Sequence, residues 1–91
     1  MAVGDVVSGV STTDITYQPA AGVEVLITSF GGAADSAHYC NLYNGTTAAR
    51  QDKYVTATNR GGAVKVFLNN TNYLQIVGTA DNRGYTGIQT K

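Results

Sequence analysis

Two residues invite a chemical reading by type and spacing. His38 and Cys40 stand two positions apart within Ala37-His38-Tyr39-Cys40-Asn41-Leu42-Tyr43, so on an extended strand their side chains share one face. An imidazole beside a thiol can activate a nucleophile or supply two ligands to a metal. Same-face neighbours on a strand project in parallel, however, and do not meet head to head. No third, orienting group follows from the pattern, since Asp35 belongs to the preceding loop. Cys40 therefore reads as a small buried apolar residue. The carboxylates Asp5, Asp14, Glu24, Asp35, Asp52 and Asp81 are no better placed. Glycoside hydrolysis needs two acids held across a cleft, and all of these but Glu24 flank turns or termini, where Asp bonds to nearby backbone. Gly31-Gly32 and Gly61-Gly62 lack the spacing and the helix start of a phosphate-binding loop. The residues predict no catalytic, cofactor or metal site, and the chain is not expected to be an enzyme.

The elements that carry these residues read as strands. At 91 residues the chain is one small domain. Its longest apolar run follows Pro19-Ala20-Ala21-Gly22 and extends from Val23 to Phe30. Bounded by a Pro/Gly turn and Gly31-Gly32, it predicts a strand, with Val23, Val25 and Ile27 on one face and Leu26 and Phe30 on the other. Apolar side chains on both faces fit a central strand covered by a second sheet on one side and by a neighbouring subunit on the other.

Around it, Val6–Ser11 predicts an edge strand or arm, and Asp14–Gln18 a strand joined to the central one as a hairpin through the Pro19–Gly22 turn. Ala37–Tyr43 is a strand ending at Asn44-Gly45, a pair suited to the centre of a type I′ hairpin turn. Thr46–Gln51 fits either a short strand or a helical turn, and Asp52–Thr58 a strand ended by Asn59–Gly62. Ala63–Leu68 and Tyr73–Val77 form a hairpin across Asn69–Asn72, and Tyr85–Thr90 closes the chain. Seven to nine short strands at this spacing predict an all-β fold, a single small jelly-roll-like β-sandwich. Residues 1–12 form an N-terminal arm or edge strand and 13–91 the sandwich domain.

Composition narrows the partners. Six basic and six acidic residues cancel, and only 13% of residues are charged. Arg50, Lys53, Arg60, Lys65 and Arg83 are scattered singly, without the basic stripe of a nucleic-acid binder. No apolar run approaches the ~20 residues that span a bilayer, and Met1–Asp5 lacks the features of a signal peptide. Neither nucleic acid nor membrane is expected as a partner, and the site of synthesis and assembly is expected to be the cytoplasm. On that expectation the Asn-x-Thr triplets at Asn44 and Asn69 are accidental matches to the glycosylation pattern. One cysteine excludes an intramolecular disulfide, and small domains without such staples often rely on oligomerisation. Six tyrosines without a tryptophan supply apolar area with a polar tip. They suit the rim of the core, a protein interface or a carbohydrate platform.

Three segments carry a resemblance that covers most of residues 13–90. They are Ile15-Thr16-Tyr17-Gln18-Pro19-Ala20-Ala21-Gly22-Val23-Glu24-Val25-Leu26-Ile27, Val66-Phe67-Leu68-Asn69-Asn70-Thr71-Asn72-Tyr73-Leu74 and Tyr85-Thr86-Gly87-Ile88-Gln89. Together they resemble small virion proteins of tailed bacteriophages, with Val25 standing where such proteins often carry Trp. The resemblance implies a β-sandwich of the virion, assembled in the host cytoplasm, serving as a capsid decoration or cement protein or as a tail or fibre part. As a decoration protein it would form a homo-oligomer, a trimer first of all, and bind the major capsid protein or another virion protein. As a tail or fibre module it would bind a surface glycan. Val6, Val7, Val10, Glu24, Leu26, Phe30, Tyr39, Tyr43 and Tyr54 are the residues expected at the interface.

Overall fold

A computed structural model of the protein describes residues 2–32, 37–55, 62–78 and 82–91, those at 32, 37–38, 52–55 and 62–64 by backbone alone. They form eight strands: β1 (Val6–Ser11), β2 (Ile15–Tyr17), β3 (Val25–Gly32), β4 (Ala37–Tyr43), β5 (Ala48–Val55), β6 (Gly62–Leu68), β7 (Tyr73–Gly78) and β8 (Arg83–Gln89). Two four-stranded sheets result, ordered β1-β8-β3-β6 and β2-β7-β4-β5, with every pairing antiparallel. This order is the wiring of a jelly roll, the β-sandwich expected above. Thr46–Gln51, ambiguous in sequence, belongs to strand from Ala48 onward. The turn expected at Asn59–Gly62 lies outside the described residues as far as Gly61.

Two expected hairpins are arches between the sheets. β2 bonds to β7 and β3 to β6 and β8, so the Pro19–Gly22 turn carries the chain from the second sheet to the first. Val23 N–H donates to Ala20 O at 3.0 Å and Gly22 takes φ 83°, a turn that needs glycine at its third position. Asn69–Asn72 likewise joins β6 of one sheet to β7 of the other. Alternation fixes which face of a strand is buried, not which strand it bonds to, and both arrangements bury the same residues. The two arches brace each other. Gln18 Nε2 donates to Asn70 O at 2.8 Å, and Asn70 Nδ2 donates to Pro19 O at 3.0 Å.

β4 and β5 do form a hairpin, with Tyr43 opposite Ala48. Its turn is centred one residue later than a type I′ Asn-Gly pair. Asn44 N–H donates to Thr47 O at 3.2 Å, and Asn44 Oδ1 accepts from the Thr46 and Thr47 amides at 3.0 and 2.8 Å. A short Asn side chain that takes over local backbone donors competes successfully with the two-residue turn.

The core joins Val7, Val25, Ile27, Phe30, Val66 and Leu68 of the first sheet to Ile15, Cys40, Leu74 and Ile76 of the second. Phe30 was expected on the face opposite Val25 and Ile27. Between Ile27 and Ser29, β3 carries one residue more than β8, a β-bulge that reverses the alternation and turns Phe30 into the core. β8 accommodates the bulge through Gly87, where an added Cβ would run into the carbonyl oxygen of Leu26. At one end of the sandwich Tyr17 and Tyr85 stack, with ring centroids 5.5 Å apart. Arg83 of the first sheet, 3% exposed, donates through Nη1 to Asp14 Oδ1 at the start of β2, at 2.9 Å.

Candidate assembly surface

Because side chains alternate along a strand, fixing the core face also fixes what the sandwich presents outside. On the first sheet that outer face is built of rows running across the strands. In one row Val6 of β1 lies opposite Ile88 of β8, Ile88 opposite Leu26 of β3, and Leu26 opposite Phe67 of β6. Four apolar side chains thus form a ridge across the whole sheet. Val6 is 72% exposed, Phe67 68% and Ile88 41%, and Leu26 is half-buried between its neighbours. Covering any of the three exposed side chains would contribute roughly 1–2 kcal/mol. The ridge is rimmed by polar groups at the chain ends. Asp5 precedes Val6, and Glu24 stands 4.0 Å from Lys91 Nζ, while its backbone pairs with Thr90 and Lys91. An apolar centre with a polar rim is the anatomy of a protein interface.

Beside the ridge, Ser8, Thr86 and Ser29 form a second row, small and polar. A third row is Val10, Gly84 and Gly31. Two glycines in register leave no side chains there, and a shallow depression of ≈ 480 Å³ lies between Val10, Ser29, Gly31, Gly84 and Thr86. Val10 stands 85% exposed at its edge.

The second sheet presents different chemistry outside. Thr16, Gln75, Asn41 and Arg50 form a polar row across β2, β7, β4 and β5, within which Asn41 Nδ2 donates to Gln75 Oε1 at 3.0 Å. On one side of the row Tyr43 meets Tyr73 edge to face at 5.6 Å. On the other side Tyr39 is covered by Arg50, whose guanidinium carbon lies 4.1 Å from the ring centroid.

The residues expected at the interface therefore divide. Val6, Val10 and Leu26 share the outer face of the first sheet, and Glu24 sits on its rim, engaged with Lys91 of its own chain. Val7 and Phe30 are 5% and 4% exposed and belong to the core: Val7 because it alternates with Val6 and Ser8, Phe30 because of the bulge. Tyr39 and Tyr43 lie on the opposite side of the sandwich, and the side chain of Tyr54 lies outside the described residues. Sequence reasoning missed Phe67 and Ile88, the two ridge residues that complete the row. The signal for Phe67 was present, since it is apolar yet out of phase with Val66 and Leu68.

Cys40 is fully buried in the core, and the side chain of His38 lies outside the described residues. Among the described residues no three His, Cys, Asp or Glu side chains come together as metal ligands would. The tyrosines with displaced acidities are structural. Burial pushes the Tyr17 hydroxyl above the usual phenol value, and burial with the neighbouring Tyr17 does the same to Tyr85. No family model matches the chain, and no curated protein matches it.

Proposed function

We propose that the protein is a structural component of a bacteriophage virion, a decoration or cement protein that associates with copies of itself and seats on the major capsid protein. The observation that carries this reading is the exposed Val6–Ile88–Leu26–Phe67 ridge. Exposed apolar surface of this continuity on a small domain marks a place where another protein binds. The sequence resemblance supplies the kind of assembly, and a shell supplies the multiplicity. Contacts of modest size, repeated across a capsid, act together by avidity. The work of the protein is then mechanical: burying the ridge between copies seated on neighbouring capsid subunits ties those subunits to one another.

Co-sedimentation of the purified chain with capsids of the phage that encodes it tests the proposal. Saturation at a fixed ratio to the capsid protein, lost on Phe67→Lys, is the expected outcome. Absence of binding to assembled capsids would contradict it.

A second reading, a tail or fibre module that binds a surface glycan, is favoured by the outer face of the second sheet. Amide and guanidinium groups flanked by Tyr39, Tyr43 and Tyr73 are chemistry that pyranose rings stack on and bond to. Binding on an array of host polysaccharides, abolished by Tyr43→Ala, would move the assignment there.

A further inference from the structure

We infer that the outer face of the first sheet closes on the same face of a second copy, ridge into trough, about a two-fold axis running along the Ser8–Thr86–Ser29 row. This rests on reading that face as an assembly surface, and it adds the occupant and the register. Val6 and Val10 are equidistant from Ser8 on β1, and Ile88 and Gly84 are equidistant from Thr86 on β8. On β3, Leu26 and Gly31 stand on either side of Ser29, with the bulge absorbing the extra residue. Ridge and trough are therefore about 13 Å apart, four residues along the strands, with the polar row midway. A half turn about that row exchanges ridge and trough while each strand stays opposite its own copy. Ile88 of each copy then lies over Gly84 of its mate, Leu26 over Gly31, and Val6 beside Val10.

Such a surface is its own complement, as an isologous interface requires. A flat face satisfied by one mate builds a pair, in place of the trimer expected from the resemblance. Its size is sufficient. Four strands spaced ~4.8 Å, each about seven residues long at ~3.4 Å, cover roughly 450 Å² per copy before side-chain relief is counted. The pair thus buries on the order of 1,000 Å², at the lower end for specific association. The hydroxyls of Ser8, Thr86 and Ser29 meet their own copies across the axis, where each can both donate and accept. Lys65, exposed on the outer side of β6, approaches its own copy near the axis. Added salt, which screens that repulsion, therefore strengthens the pair, as does Lys65→Gln.

Cysteine mixing on the full chain tests the register. Val6→Cys and Val10→Cys variants are prepared separately and oxidised alone or together, and the buried Cys40 does not compete. A covalent dimer from the mixture, at least tenfold more abundant than from either variant alone, is the expected result. Cross-linking that is equal in single variants and mixture, or absent from both, would overturn the pairing, as would a trimer that persists in Phe67→Lys. The same samples are sedimented with capsids. A monomer that still saturates capsids overturns the pair and leaves the virion assignment standing, whereas a cross-linked pair that ignores capsids upholds the pair and removes that assignment.

Discussion

Leu26 and Phe67 face each other across the β3–β6 ladder on the outside of the sandwich, while the next pair along the same ladder, Ile27 and Val66, is buried between the sheets. One ladder thus carries apolar pairs on both faces, although its own fold covers only one. The inner pair holds the domain together. The outer pair has no such duty, and it is the feature on which the proposed assembly role rests.

The two pairs should separate cleanly under mutation. Ile27→Ala removes side-chain volume from the core and is expected to cost about 2–4 kcal/mol. Phe67→Ser on the outer face should change stability by about 0.5 kcal/mol or less. Urea unfolding of the two variants, measured at a concentration where the wild type is dissociated, checks both values.

Asp14 and Arg83 tie the sheets at one end. Asp14→Ala takes away a charge-assisted acceptor from a guanidinium that is 3% exposed, and Asp14 Oδ1 also receives the Gly78 amide at 3.4 Å. A loss of roughly 1–3 kcal/mol is expected, since Asp14 itself is largely solvated. Asp14→Asn, which keeps an acceptor oxygen, should lose less. A shift in the midpoint of unfolding, in that order, is the readout.

The stacked tyrosines make the fold sensitive to alkali. Tyr17 and Tyr85 hold their protons more tightly folded than unfolded. Their contribution is therefore complete below the unfolded phenol value of about 10 and is lost as pH rises through the folded value. Stability should fall above about pH 10, and less steeply in Tyr17→Phe. The Tyr17 hydroxyl is buried with no hydrogen-bond partner among the described residues, so at pH 7 the same substitution should be neutral or slightly stabilising. Thermal melts at pH 7 and pH 10.5 measure both effects.

Asn44 and Asn69 close different connections with the same turn. Asn69 N–H donates to Asn72 O at 2.9 Å, and its Oδ1 accepts from the Thr71 and Asn72 amides at 3.0 and 2.8 Å, matching the arrangement at Asn44. Alanine at either position should cost about 1 kcal/mol, read as a lowered urea midpoint.

That duplication also explains what could be read from the sequence. Strand positions and burial were legible because they are local. Ile15 and Tyr17, Val25 and Ile27, and Leu74 and Ile76 all show the two-residue alternation of strands that bury one face. Connectivity was less so. The same asparagine turn closes a hairpin after Tyr43 and an arch after Leu68, so turn chemistry does not distinguish them. The Pro19–Gly22 turn misled in the same way. Phe30 was misplaced because the bulge at Thr28 depends on Gly87, a residue of another strand. Val6, Val10 and Leu26 could be named in advance, but the ridge itself could not. It exists only through the register that brings Ile88 between Val6 and Leu26 and sets Phe67 beside them.

The measurement that tests the assembly surface most directly is the solution mass of the full chain by light scattering across a range of concentrations, with Phe67→Lys beside the wild type. A wild type that rises above the mass of a single chain, with a variant that remains folded and monomeric throughout, is the result expected. A wild type that stays monomeric at every concentration, or a variant that associates just as well, would contradict the role assigned to the ridge.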